Sequence, residues 1–230
     1  MTMKPRKLRG STACLAGLVL GLGAAAPAQE PSAATVIRLP AARATGEVSI
    51  EQALKTRRSL RSFAATPLTL AQISQLMWAA QGVSDERGRR TAPSAGALYP
   101  LELFLVAGNV TGLPSGVYRY RPALHDLVMV LTGDRRAEVA AACRQGWVAE
   151  APASVAFTAV YARTVKKYGE RSNRYVPIEV GAAAENLALQ AVALGLGTTV
   201  VGAYDDAALA AALGSAPEEQ PLALLPVGHK

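Results

Sequence analysis

The chain has 230 residues, half of them hydrophobic and few aromatic, which provides for one sizeable core and excludes a disordered polymer. Its net charge is +7, but four positive charges (Lys4, Arg6, Lys7 and Arg9) stand in the first ten residues, leaving +3 without them. The remaining basic residues gather at 57–61, 87–90 and 163–174 with no aromatic-interleaved stripe, so a nucleic-acid partner is not expected.

Residues 1–28 read as a secretory signal. A basic start is followed by an apolar run from Ser11 to Ala25 carrying Gly17, Gly21 and Gly23, then by the small-x-small pattern Ala26-Pro27-Ala28. The run is too short and too rich in glycine for a membrane span, so no membrane association is expected once it is removed. The protein is therefore expected to be exported, to a bacterial periplasm. Cys143 is then the only cysteine and His125 and His229 the only histidines, which excludes an intrachain disulfide and makes no metal site.

Residues 29–47, rich in Ala and Pro, read as a flexible arm ahead of a domain over 48–230. Ser49 followed by Gln52 starts a short helix as a capping box and delivers Arg57 and Arg58 at its end. Thr69 and Gln72 form a second capping box. It opens a helix with Leu70, Ile73, Leu76, Met77 and Ala80 on one face and a left-handed cap at Gly82. Strands are predicted over 101–107, 116–120 and 126–131, with a turn at Arg121-Pro122, and an Ala-rich helix over 134–145. An apolar strand over 153–162 and a polar loop over 166–175 follow. The longest helical pattern spans 179–194, and Gly195 and Gly197 end it. A strand over 198–203, a helix from the Asp205 cap to Leu213 and a closing strand over 222–227 complete the chain. Hairpin-like strands mixed with packed helices predict an α+β fold.

Three stretches carry candidate chemistry. Arg57-Arg58-Ser59-Leu60-Arg61 places three guanidinium forks and a hydroxyl where they match phosphate oxygens, or else forms a solvated helix end favoured by the dipole. Ala92-Pro93-Ser94-Ala95-Gly96-Ala97 has no bulky side chain to keep its backbone from a flat ligand, or is an ordinary tight connection. Lys167 beside Tyr168 is a pair able to exchange a proton, or part of a solvated surface. Gly195 and Gly197 lie between a helix and the strand after it, with Gly202 on the strand's edge, the reverse of the dinucleotide fingerprint.

In order, R-R-S-L-R-S-F, L-M-W-A-A-Q-G-V, T-A-P-S-A-G-A-L-Y-P, G-V-Y-R-Y, K-Y-G-E-R, E-N-L-A-L-Q, G-L-G-T and L-L-P-V-G resemble the nitroreductase-like flavin oxidoreductases, and most closely their SagB-type dehydrogenase branch. The resemblance covers about residues 48–228. It implies a three-layer α/β/α fold with a mainly antiparallel central sheet and FMN held at a homodimer interface. It further implies that Arg57, Arg58, Ser59 and Arg61 grip the FMN phosphate and ribityl end. Pro93, Ser94 and Gly96 would line the flavin across the dimer, and the backbone of Val201, Gly202 and Ala203 would approach its ring. Lys167 and Tyr168 are implied as the proton-abstracting residues, acting on a small-molecule substrate with a reduced electron donor as the flavin's other partner. Relatives often complete the phosphate site with a basic residue beyond the closing strand; the chain departs from that pattern, and Lys230 would have to fill the place here. The export signal departs from the azoline dehydrogenases of the branch, which work inside the cell with partner maturases. The alternative is a non-catalytic exported protein that binds or stores FMN.

Overall fold

The computed structural model describes residues 1–2 and 35–230. The expected signal segment lies outside the described residues apart from its first two. In chain order the elements are β1 (Val36–Arg38), α1 (Ile50–Thr56), β2 (Leu68–Thr69), α2 (Leu70–Gln81), β3 (Leu101–Ala107), β4 (Val110–Thr111), β5 (Gly116–Arg121) and β6 (Asp126–Thr132). They continue as α3 (Arg136–Cys143), β7 (Ala153–Ala159), α4 (Tyr161–Tyr168), α5 (Ser172–Ala193), β8 (Leu196–Thr198), α6 (Asp206–Leu213) and β9 (Gln220–His229).

The alternation of side chains along β3 shows how the layers arise. Leu101, Leu103, Leu105 and Ala107 point into one core with Ile73, Leu76 and Met77 of α2 and Val180, Ala183 and Leu187 of α5. Phe104 and Val106 point into a second core with Val139 and Ala142 of α3 and Leu209 and Leu213 of α6. One sheet is thus covered by helices on both faces, which is why β3 and β7 are apolar along nearly their whole length. The sheet runs β1-β6-β5-β3-β7-β9-β8 with every pairing antiparallel, while β2 and β4 form a separate parallel pair. This is the expected three-layer α+β architecture with a mainly antiparallel sheet.

Several local expectations change. Within the stretch expected to be an arm, Val36–Arg38 pairs with β6, Leu39 is buried, and the Gln75 amide clasps the Arg43 backbone on both its N–H (2.9 Å) and its carbonyl (3.0 Å). The strand expected over 153–162 stops at Ala159, and the polar loop expected over 166–175 is helical for most of its length. Helix α5 starts at Ser172 and continues through Pro177, because Val176 before the proline and Glu179 and Val180 after it are held in the packed interior. Gly82 ends α2 in an extended conformation, with φ −64°, and not as a left-handed cap. Its lack of a side chain serves close packing, since a Cβ would collide with the Trp78 indole. The strand expected over 198–203 is interrupted: β8 ends at Thr198, Val200 faces outward, and Val201 alone makes a bridge to Leu224 of β9.

Candidate active site

Ser49 caps α1 by accepting the Gln52 N–H at 3.2 Å, which sets where the helix begins and hence where the basic segment emerges. Arg57, at the C-terminal cap, pairs its Nε with Glu185 Oε1 of α5 at 3.2 Å. Arg58 folds back to donate from Nη1 to the carbonyls of Lys55 (3.0 Å) and Arg57 (2.7 Å), satisfying oxygens that a helix end leaves free. Ser59 then forms a parallel bridge with Thr198, and Leu60 N–H donates to the Thr198 carbonyl at 3.1 Å. Gly197 makes that approach possible, because a Cβ there would stand 2.8 Å from Leu60 Cβ. Arg61 is exposed, and among the described residues its guanidinium has no hydrogen-bond or ion-pair partner. Ala64 N–H donates to the His229 carbonyl at 3.0 Å, so the residue before Lys230 is joined to the chain three residues beyond Arg61.

A second group forms around residues 93–99. Gly96, Ala97 and Tyr99 have φ of 64°, 54° and 47°, left-handed conformations that two of the three adopt against the preference of their side chains. Several contacts hold this backbone. Ala95 N–H donates to Glu179 Oε1 at 2.8 Å, Tyr99 N–H donates to Ser94 Oγ at 2.9 Å, and Arg163 Nη1 donates to the Tyr99 carbonyl at 2.9 Å. Arg90 lies over the Tyr99 ring, 4.4 Å from its centroid. Lys167 and Tyr168 end α4 directly over this turn: a Cβ on Gly96 would stand 2.8 Å from Tyr168 Oη and 3.0 Å from Lys167 Nζ. The Lys167 ammonium is 5.5 Å from the Tyr168 ring centroid, and Tyr168 packs edge-on against Tyr175 at 5.1 Å.

Two pairs of predicted stretches therefore meet. The basic cluster joins Gly197 and Thr198, and the Pro93–Gly96 turn joins Lys167 and Tyr168. Helix α5 supports both groups, taking Arg57 on Glu185, the Thr91 carbonyl on Asn186 Nδ2 at 3.2 Å and Ala95 on Glu179. Among the described residues no hydrogen bond or ion pair of one chain joins the two groups directly. Val201 is buried against Leu224, while Gly202 and Ala203 are exposed, and a Cβ on Gly202 would meet nothing within 4 Å. The backbone there is open to an approaching ligand.

Sequence reasoning passed over Glu179, which falls within an otherwise small and apolar helical pattern. It is 4% exposed, and its Oε2 is buried without a hydrogen-bond partner. Burial raises its pKa above the ordinary carboxylate value, against the opposing pull of the Ala95 N–H. The only visible signal was an acid on the stripe of Val176, Val180, Ala183 and Leu187. Cys143 takes no part here; it is buried, and burial pushes its thiol up to about 11.

Residues 54–229 match the nitroreductase family. A provisionally named nitroreductase of Methanocaldococcus jannaschii is 45% identical over 185 residues, 80% of this chain and 92% of the relative. A crystal structure similarly named as a nitroreductase, from Ralstonia eutropha, superposes with a TM-score of 0.74 at 31% identity, covering 84% of this chain and 89% of its own. A chain of the Escherichia coli microcin synthetase complex, with truncated pro-MccB17 bound, gives 0.67 at 25% identity, covering 83% and 76%. The chain belongs to the nitroreductase family of oxidoreductases.

Proposed function

We propose that the protein is an exported FMN-dependent oxidoreductase of the SagB-type branch. The observation that carries this reading is the basic segment, whose backbone is pinned to Thr198 while the charged ends of Arg58 and Arg61 stay at the surface. A rigid backbone bearing exposed guanidiniums suits a phosphate, which accepts paired N–H donors in a plane. Arg57, Arg58, Ser59 and Arg61 are assigned to the phosphate and ribityl end, with Lys230 as a further cation from the adjoining terminus. Pro93, Ser94 and Gly96, contributed across a homodimer, and the open backbone at Val201, Gly202 and Ala203 are assigned to the flavin ring. Bound FMN would supply the hydride-transfer chemistry.

The chain's own part is binding and proton management. Lys167 Nζ and Tyr168 Oη stand together over the turn assigned to the ring, where each can take a proton from a substrate being oxidised or give one to an acceptor being reduced. The ordered motifs support the dehydrogenase branch, and one fold neighbour is a chain of a microcin synthetase complex. The nitroreductase relatives support reduction of a small organic acceptor, and one fold neighbour at 20% identity, from Vibrio harveyi, is an NADPH:FMN oxidoreductase. With FMN bound, the site would suit hydride exchange in either direction, with the partner molecule deciding which way it runs.

The test is the visible spectrum of residues 29–230 after incubation with FMN and desalting. Retained flavin bands that vanish in the Arg58→Ala/Arg61→Ala variant are expected. A wild-type protein that retains no flavin overturns the reading. Lys167→Ala is expected to keep the flavin and lose at least tenfold in turnover, the usual share of one proton-transferring group.

A further inference from the structure

The geometry points to Glu179 as the positioning residue of the Lys167–Tyr168 pair: its carboxylate holds the left-handed turn at Ser94–Gly96 on which those two side chains rest. The inference rests on the proposed assignment of Lys167 and Tyr168 but concerns a residue to which that reading gives no task.

Three observations converge on it. Glu179 Oε1 accepts the Ala95 N–H at 2.8 Å, and among the described residues this is the one hydrogen bond from an α5 side chain to the backbone of Ser94–Gly96. Immediately after Ala95, the chain enters the left-handed region at Gly96 and Ala97 and returns to it at Tyr99. Such conformations are strained in non-glycine residues and persist only where the surroundings over-determine them. Finally, the turn has no slack beneath the pair: the position that a Gly96 Cβ would take is already bounded by Tyr168 Oη and Lys167 Nζ. A small shift of Ala95 therefore moves the floor under both proton-carrying atoms.

The carboxylate is also poorly suited to a purely structural task. A buried oxygen without a partner weakens a fold, and Glu179 Oε2 is one. Glu179 itself is among the residues lining a cavity of about 270 Å³, with Pro93, Ser94, Ala95, Tyr175 and Ile178. A leucine would fill that space without the desolvation cost, so packing alone does not account for an acid here.

The experiment compares Glu179→Gln, Glu179→Leu and wild type in the flavin-loaded protein and without flavin. Gln keeps a carbonyl oxygen for the Ala95 N–H, whereas Leu keeps the volume and removes the acceptor. Amide hydrogen exchange over residues 95–97 is expected to speed up at least tenfold in Glu179→Leu and to stay within twofold of wild type in Glu179→Gln. With NADPH as donor and menadione as acceptor, Glu179→Leu is expected to lose at least tenfold in kcat with KM within threefold, and Glu179→Gln to restore turnover. A folded Glu179→Leu protein that keeps both its exchange protection and its kcat overturns the inference. If the wild type binds no flavin and reduces no menadione, the proposed function fails, while the exchange comparison still decides what Glu179 does for the turn.

Discussion

Gly197 and Glu179 show how single positions control the two halves of the site. A methyl group at Gly197 would press on Leu60 and push the basic segment away from Thr198. Gly197→Ala is expected to cost about 1–3 kcal/mol, the range for overpacking, and to weaken FMN retention. Leu60→Ala in the same chain should recover part of the loss, because the two substitutions act on one contact, and urea midpoints of the four proteins give that coupling directly. Glu179 makes a prediction in pH. Its folded pKa is raised above 4.5, so the protonated form is the one the fold prefers. Its contribution is intact below the unfolded value and is lost as pH rises through the folded one. Denaturation at pH 4 and pH 8 should therefore show Glu179→Gln gaining stability relative to wild type at the higher pH. A constant difference between the two conditions would argue that the carboxyl is unperturbed.

Helix α2 shows what local chemistry contributes at the scale of an element. Thr69 Oγ1 accepts the Gln72 N–H at 3.1 Å while Gln72 Oε1 accepts the Thr69 N–H at 2.8 Å, so both arms of the capping box are present. Beyond it Ile73, Leu76, Met77 and Ala80 are fully buried. Thr69→Ala is expected to cost about 1 kcal/mol in thermal or urea unfolding, through lost capping alone. Phe104→Ala on β3, by contrast, opens a hole in the second core and should cost about 3–5 kcal/mol. The difference separates an element's local start signal from its place in the packed layers.

For the whole molecule, exposed apolar side chains bear on the proposed dimerisation. Ile50 and Leu54 are 55% and 56% exposed on one face of α1, beside the basic segment, and Ile178 of α5 is 61% exposed. A second copy of the chain would cover such surface in the proposed homodimer. Light scattering of residues 29–230 is expected to give twice the chain mass, and Leu54→Glu to shift it towards one chain with loss of flavin. A monomeric wild type that retains FMN would remove the dimer from the proposal. Expression of the full chain with its basic, apolar start is expected to yield an exported protein beginning at Gln29, read directly from its intact mass.

What could be read from the sequence alone follows from short-range physics. The start and length of α2, the bounds of β3 and the Asp205 cap of α6 were legible because each depends on residues within a few positions. The ordered motifs likewise led to the family and its fold. The tertiary structure decided what depends on partners distant in the chain. Val36 finds a strand only because Val128 lies beside it, and Pro177 stays helical only because its neighbours are packed. Val200 turns outward while Val201 pairs with Leu224, an exchange that no alternation pattern over 198–203 contains. Glu179 looked like one more acid on a helix until Ala95, 84 residues earlier, was seen donating to it. Burying a charge-bearing group makes sense only with its partner in view, and that partner is supplied by the fold.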